Sequence, residues 1–154
     1  MILADTVHHL QAELAPLVLE AFTEVEALRL GQILVDLALQ SRMPVVIDIR
    51  TPDRTLFHAG LPGSAPLNDR WARRKSNTVL QFHEASLIVA LRNRSLGETL
   101  DRHGLPAEEF AESGGAVPIR VRGVGVVAVA TVSGLPEADD HALVVRGLKA
   151  LIAG

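Results

Sequence analysis

The feature that most constrains the fold is a stretch near the C-terminus, residues 114 to 154, in which strand, turn and helix signals follow one another without a break. Apolar and polar residues alternate over 116 to 122, which is the period of a strand with one face in solvent. Residues 125 to 132 are almost wholly apolar and rich in β-branched side chains, which is typical of a strand buried on both faces. Gly123 and Gly125, where these runs meet, favour a tight turn. The pattern predicts a hairpin whose second strand is the innermost of a sheet.

The rest of the chain predicts three more strands and a set of helices around this hairpin. Thr23 and Glu26 form a capping box ahead of apolar residues at helical spacing, so a long helix begins there. Pro52 lies in a short turn between two strand-like runs, and a turn of this length joins antiparallel strands. The predicted strands are 17–22, 44–50, 54–58, 116–122 and 125–132, and the predicted helices are 3–14, 23–41, 68–82, 86–103 and 137–152. The predicted fold class is α+β, with a single, mainly antiparallel five-stranded sheet and helices on both faces.

The composition restricts the classes of partner. A chain of 154 residues is long enough to form one domain, 1–154, with its own core. The net charge of -3 argues against nucleic acid, which needs a strongly basic face. No segment approaches the roughly 20 apolar residues of a spanning helix, and no secretory signal pattern is present. The sequence has no cysteine, which excludes disulfides and thiolate metal sites. We therefore expect a soluble, cytoplasmic protein without a membrane partner.

A basic helix carries the first candidate binding residues. Arg74 and Lys75 follow Trp71 on the predicted helix 68–82, and cations in such a position can bind a carboxylate or phosphate. The alternative is a solvated basic face with Trp71 as its anchor in the core. The sequence therefore predicts a small anionic ligand here, or a purely structural role.

The end of the innermost strand carries the second group. Ser133 and Gly134 end that strand, where the following helix presents unpaired backbone N–H groups. Gly114 and Gly115 lack side chains near the same end of the sheet and are expected to leave room for a ligand. Together with the cations and the start of the last helix, the predicted ligand-binding set is Arg74, Lys75, Gly114, Gly115, Ser133, Gly134, Asp140 and His141.

The start of the last helix allows a structural interpretation as well. Asp139, Asp140 and His141 resemble a metal cluster by composition only, and we predict no metal site. Acids in the first turn of a helix are stabilised by the helix dipole, and His141 continues an apolar stripe, so it is expected to be packed. Arg74 or Lys75 can also pair with one of the two aspartates and simply hold two helices together.

These residues also carry a resemblance to a known family. The glycine pair, the glycine turn and the end of the last strand resemble the haem-degrading domain family of HbpS-like and GlcG-like proteins, and a subset of that family shares further motifs. The residues concerned are Gly114-Gly115, Pro118-Ile119, Ser133-Gly134 and Asp140, with Trp71, Arg74-Lys75, Ser133 to Pro136 and Asp140-His141 for the subset. The resemblance begins near Glu24, so residues 1–22 form a helix-strand extension. It implies profilin-like layering and a ligand such as haem.

Three functions remain open at this point. The first is a non-catalytic, self-assembling module that binds haem or another small anionic molecule. The second, implied by the family resemblance, is a haem-degrading enzyme, which needs an axial ligand that is usually histidine. The third is a protein-interaction subunit with no small ligand. The sequence contains no nucleophile elbow, zinc-protease helix, Walker loop or dinucleotide fingerprint, so the catalytic residues are unknown.

Two further expectations concern the first helix and the hairpin. Leu3, Val7, Leu10 and Leu14 give the first helix an apolar stripe, which we expect to help bury a homo-oligomer interface. On the hairpin, we expect Asp48 on the solvated face of an edge-side strand. His58, near the end of the hairpin, either faces a ligand or is an ordinary loop residue.

Overall fold

The structure is a computed structural model that describes the backbone of residues 2–154 and the side chains from residue 4 onward. Helices and strands are interspersed along the chain, with one 3-10 turn before the last hairpin. In order, the elements are α1 (Ile2–Leu14), β1 (Val18–Leu19), α2 (Glu24–Gln40), β2 (Val46–Arg50), β3 (Thr55–Gly60), α3 (Pro66–Phe82), α4 (Ser86–Leu96), the 3-10 turn (Leu100–His103), β4 (Ala116–Val121), β5 (Gly125–Ser133) and α5 (Glu137–Ala153).

The five strands form one sheet in the order β1-β4-β5-β2-β3. Strand β5 lies between β4 and β2, so the prediction that it is innermost is confirmed. The α+β class is also confirmed, but the sheet is mixed rather than mainly antiparallel. Its edge strand β1 runs parallel to β4, with Val18 opposite Arg120, whereas the other three pairs are antiparallel. This parallel pair joins residues about a hundred positions apart, and such a long-range contact leaves no local signal in the sequence.

The two faces of the sheet are covered differently. Helices α2 and α5 pack on one face and form most of the core, with Leu30, Leu34, Ile47, Ile119 and Leu143 fully buried. Helix α3 covers the other face through a smaller apolar cluster and a set of polar contacts. Helix α1 packs mainly on α4. The polar contacts under α3 are the part of the interior from which a binding site can be built.

Several predicted boundaries were wrong. Strand β1 covers two residues instead of 17–22, and α4 ends at Leu96 because Gly97 adopts a left-handed conformation with φ of 65°. The predicted helix 86–103 is thus a helix followed by a separate 3-10 turn. Helix α3 begins at Pro66, where proline suits the first helical position. Asn68 lies inside the helix, and its side-chain oxygen accepts the Ala65 N–H at 2.8 Å.

The apolar stripe of α1 packs against the core of its own chain. Val7 and Leu14 are buried in the main core, and Leu10 packs against it. Leu3, the remaining member of the predicted stripe, lies outside the described side chains. The proposed surface for self-association is therefore smaller than the sequence pattern predicted.

Candidate functional site

A buried ion pair joins α3 to α5 beside the end of β5. The Lys75 Nζ lies 2.7 Å from Asp140 Oδ2, and the two side chains are only 4% and 1% exposed. The same ammonium donates to the carbonyl oxygen of Val132 at 3.2 Å. The structural pairing that the sequence left open is therefore present, with Lys75 and Asp140 as its members.

Asp140 is held by backbone as well as by charge. Its Oδ1 accepts the N–H of Leu135 at 2.9 Å, and its Oδ2 lies 3.4 Å from the N–H of Gly134. Burial raises the pKa of Asp140, and the nearby Lys75 charge with these hydrogen bonds offsets that effect only in part. The Asp140 carboxylate thus fixes the turn after β5 to the first turn of α5, and both of its oxygens have hydrogen-bond partners.

The glycine pair makes room for this ion pair. A Cβ on Gly115, which has φ of 135°, would lie 2.7 Å from Lys75 Nζ and 2.5 Å from the carbonyl oxygen of Val132. A Cβ on Gly114 would lie 2.7 Å from the carbonyl oxygen of Glu137. The space that we expected a ligand to occupy at these two glycines is therefore filled by protein atoms, chiefly the Lys75 ammonium and neighbouring backbone.

A small pocket opens on the outer side of the ion pair. Its volume is about 270 Å³, and its wall consists of Asn68, Trp71, Lys75, Ser113, Ser133, Gly134, Leu135 and Asp140. An ammonium group has three N–H donors. Within the described residues, Lys75 uses two of them, for Val132 and Asp140, which leaves a third donor on a side chain that lines the pocket. Of the predicted set, the structure brings Lys75, Ser133, Gly134 and Asp140 together at this pocket.

Arg74 lies elsewhere. Its guanidinium stacks on the Trp71 ring, 4.4 Å from the ring centroid, and its Nε donates to the carbonyl oxygen of Ala107 at 2.8 Å. Adjacent helical residues point about 100° apart, so Arg74 and Lys75 cannot both reach the end of β5. The expected joint role of these cations was wrong, and Arg74 instead anchors the segment before β4.

His141 also lies apart from its neighbour Asp140. It is 3% exposed and lines a groove between α1, α4 and α5 rather than the Lys75 pocket. Both of its ring nitrogens are buried, and neither has a hydrogen-bond partner among the described residues. Burial lowers the pKa of His141, which keeps the ring neutral. The prediction that His141 is packed was correct, but the missing partners are a feature that periodicity cannot show.

A second polar cluster, on β2, β3 and α3, was missed. The Nδ1 of His58 lies 2.9 Å from Asp48, and its Nε2 lies 2.8 Å from Asp69. Asp48 also pairs with Arg50 at 3.1 Å and is 6% exposed, so its expected position on a solvated face was wrong. Partial burial alone would lower the pKa of His58, but its hydrogen bonds to Asp48 and Asp69 outweigh that effect and raise the pKa. The residue types at 48 and 58 do not reveal the contact between Asp48 and His58, because it depends on the register of β2 against β3.

Among the described residues, no group of three or more histidine, aspartate or glutamate side chains has an arrangement that can hold a metal ion. Within residues 2–154, no helix is both long enough and apolar enough to cross a membrane.

Comparison with known proteins places this fold in a family. A model of the haem-degrading HbpS-like proteins matches residues 22–149. The chain belongs to the HbpS-like family. A UPF0303 protein of Streptomyces coelicolor is 45% identical over 150 residues, which cover 97% of this chain and 95% of the relative. The resemblance drawn from the glycine pair and the Ser-Gly turn is thereby confirmed.

Solved structures agree with the fold. The crystal structure of the Ybr137w protein superposes with a TM-score of 0.86 at 30% identity, covering 96% of this chain and 87% of that one. The haem complex of PduOC superposes with a TM-score of 0.71 at 18% identity, covering 86% and 95%. At that lower identity the likeness to PduOC shows the fold alone.

Proposed function

We propose that this protein binds a small anionic molecule in the pocket beside the Lys75–Asp140 pair, and that it acts as a binding module rather than a catalyst. The observation that carries the proposal is a buried ammonium with a remaining donor on the pocket wall. Ser133 adds a hydroxyl and Trp71 an aromatic surface. Charge-assisted hydrogen bonds of this kind are stronger than neutral ones, which favours an oxyanion as the ligand.

The volume of the pocket narrows the choice of ligand. Sites for drug-sized molecules have volumes of about 300–1,000 Å³. The Lys75 pocket, at about 270 Å³, falls below that range. A small carboxylate or a phosphate fits this volume, whereas the tetrapyrrole ring of haem is too large to enter it.

A thermal-shift series tests the proposal. Acetate, a dicarboxylate and inorganic phosphate are added separately up to saturation, and a ligand that binds only the folded state raises the melting temperature. We expect at least one of these anions to raise it. The Lys75→Met variant should lose this response, whereas Lys149→Met, which removes an exposed lysine on α5, should keep it. No shift with any of the anions in the natural protein contradicts the proposal.

The Asp140→Asn variant sharpens this test. It preserves the shape of the side chain but removes the charge that competes for Lys75. If the pocket binds anions, the freed ammonium should bind them more tightly than in the natural protein. No response to any anion in Asp140→Asn would mean that Lys75 only pins α3 to α5.

Haem is a second candidate ligand, favoured by the family match and by the larger groove at His141. This candidate includes the reaction suggested by the family description, the degradation of haem. Haem added with a reductant would then lose its Soret absorbance over many turnovers. A stable Soret band under these conditions would contradict haem degradation and leave haem binding as the candidate function.

We also propose self-association into a cytoplasmic homo-oligomer. Val25 and Leu28 are neighbours on one face of α2 and are 53% and 57% exposed, and adjacent exposed apolar side chains favour a contact between subunits. Light scattering after size exclusion measures the mass of the assembly. A large assembly with no response to any ligand would favour a protein-interaction subunit, and a monomer would contradict self-association. Deletion of residues 1–14 without a change in mass would exclude α1 from the interface.

A further inference from the structure

The backbone N–H groups beside the Lys75 pocket already bind a carboxylate of the protein itself. The turn after β5 leads into α5, and free N–H groups at the start of a helix are a common site for phosphate. Here the N–H of Leu135 donates to Asp140 Oδ1 at 2.9 Å, and the N–H of Gly134 lies 3.4 Å from Asp140 Oδ2. Asp140 therefore takes the place that a phosphate group would otherwise take at this turn.

The charge of Lys75 is also compensated within the protein. Its Nζ lies 2.7 Å from Asp140 Oδ2, and both side chains line the pocket. They are the charged side chains among the described residues of the wall, so the two charges of the wall cancel. Arg74, which stacks on Trp71, is not part of the wall. A dianion in the pocket would be attracted by one ammonium group and repelled by the adjacent Asp140 carboxylate.

The other polar groups of the wall are neutral. Ser133 is 2% exposed, and its hydroxyl forms no hydrogen bond with any described residue. Buried hydroxyl groups are nearly always hydrogen-bonded, so this group needs an explanation, and a bound ligand supplies one. Asn68 uses its side-chain oxygen for the Ala65 N–H, and its amide nitrogen has no partner among the described residues. Hydroxyl and amide groups can donate to a carboxylate without adding charge to the pocket.

Trp71 and Leu135 give the wall an apolar part. Both side chains are partly buried and line the pocket. The Trp71 ring is held by Arg74, whose guanidinium lies 4.4 Å from the ring centroid. A short aliphatic group on a ligand can pack against these two side chains and leave water, which favours binding.

We propose that the Lys75 pocket selects small monocarboxylates over phosphate, with Lys75 and Ser133 as donors to the ligand carboxylate and Asp140 as the residue that excludes dianions. This inference rests on the proposed function, anion binding in the Lys75 pocket, and names the class of anion. Three observations support it. Asp140 occupies the N–H groups of the turn, it cancels the charge of Lys75, and the remaining donors are neutral and share a wall with apolar side chains.

A fluorescence titration tests the selectivity. Trp71 is the only tryptophan of the chain and lines the pocket, so its emission reports on this site. Acetate, isobutyrate and inorganic phosphate are titrated separately at constant ionic strength and pH 8, where phosphate is mostly a dianion. The monocarboxylates should give a saturable change. Isobutyrate should bind at least twofold more tightly than acetate and at least tenfold more tightly than phosphate.

Three variants test the residues that the inference names. Asp140→Asn removes the repelling charge and should bind phosphate at least tenfold more tightly than the natural protein does. Asp139→Asn is the matched control, because Asp139 is the neighbouring acid on α5, is exposed and is not part of the wall. It should keep the natural preference. Ser133→Ala leaves the ion pair in place and should bind isobutyrate at least threefold more weakly.

The outcomes separate this inference from the proposed function. If no anion changes either the fluorescence or the melting temperature of the natural protein, anion binding and this inference are both wrong. If phosphate binds at least as tightly as isobutyrate, the pocket binds anions but the inferred selectivity is wrong. If Asp140→Asn folds but binds phosphate no more tightly than the natural protein does, Asp140 does not exclude dianions, which also overturns the inference. If Asp140→Asn fails to fold, the preference of the natural protein and the loss in Ser133→Ala still decide the question.

Discussion

Asp140 and His141 are neighbours on α5, both are buried, and they have opposite surroundings. Asp140 accepts hydrogen bonds from Lys75, Leu135 and Gly134, whereas neither ring nitrogen of His141 has a partner among the described residues. A buried charge with a complete set of partners helps define the fold. A buried polar group without partners costs about 1–3 kcal/mol of folding free energy. The comparison suggests that the structure requires Asp140, whereas it tolerates His141.

The same contrast separates the two candidate ligand sites. At the Lys75 pocket the charged groups serve the fold first, and a ligand can use only the donor that remains. At the His141 groove the two ring nitrogens form no hydrogen bond with the described residues, so a ligand would break none. Substitutions at the first site should therefore change both stability and binding, whereas substitutions at the second should change binding with little loss of stability.

The largest effect is expected from Lys75→Met. It leaves the Asp140 carboxylate buried without its charged partner, and breaking a buried pair in this way costs about 3–5 kcal/mol. Chemical denaturation measures the free energy of unfolding. The double variant Lys75→Met with Asp140→Asn should recover much of the loss, because no unpaired charge remains. Lys149→Met, on an exposed pair, should change stability by less than about 0.5 kcal/mol. Equal losses in Lys75→Met and Lys149→Met would show that the buried pair has no special role.

Gly115→Ala tests the close packing around the ion pair. The new Cβ would lie 2.5 Å from the Val132 carbonyl oxygen, in a backbone conformation with φ of 135°. The combined strain and crowding should destabilise the fold by roughly 2–4 kcal/mol. Gly123→Ala is the matched control, because it also has positive φ, 76°, but no atoms within 4 Å of its Cβ. It should cost about 1 kcal/mol from the left-handed conformation alone. If the two variants unfold at the same denaturant concentration, crowding at Gly115 is not what excludes a side chain there.

His141→Leu is not expected to lower the free energy of unfolding, in contrast to the two preceding variants. Replacing an unpartnered buried polar group with an apolar one of similar size should leave stability at pH 7 unchanged or raise it by up to about 1–2 kcal/mol. The difference in stability between His141→Leu and the natural protein should grow as the pH falls. Since burial lowers the pKa of His141, its neutral state favours folding above the ordinary value of about 6.5, and this advantage is lost as the pH falls towards the lowered folded value.

Melting temperatures at pH 7.5 and pH 5 measure this effect. The natural protein should lose more stability on acidification than His141→Leu does. A variant that is less stable than the natural protein at both pH values would mean that His141 has a structural partner after all.

The sequence predicted local features well and long-range polar contacts poorly. The hairpin turn at Gly123 and Gly125 and the capping box at Thr23 depend on neighbouring residues, and the structure has both. The parallel pairing of β1 with β4 was not predicted, because it consists of two residues that pair with a distant part of the chain. The pair between Lys75 and Asp140 was one of several alternatives, since periodicity shows which face of a helix a residue lies on but not what lies opposite.

Periodicity failed most clearly at buried polar residues. Asp48 lies among apolar residues in a strand, and its burial depends on α3 and His58, which approach it from other elements. His141 continues an apolar stripe, so its burial was predictable, but its lack of partners depends on side chains from α1 and α4. The sequence therefore predicted the element on which each site residue lies better than the contacts that determine its function.

The smallest effect should come from His58, which extends the comparison to a histidine whose two nitrogens both have partners. Partial burial lowers the pKa of His58, but the hydrogen bonds of its ring to Asp48, which also pairs with Arg50, and to Asp69 outweigh burial and raise the pKa. The protonated ring therefore stabilises the fold below about pH 6.5, and this contribution is lost as the pH rises through the raised folded value. Because the side chain is 41% exposed, solvent screening limits the effect to less than about 1 kcal/mol. His58→Gln should lower the melting temperature at pH 6 but hardly change it at pH 8.5, which is opposite in direction to the behaviour of His141. An equal change at both pH values would show that the charge on His58 does not contribute to stability.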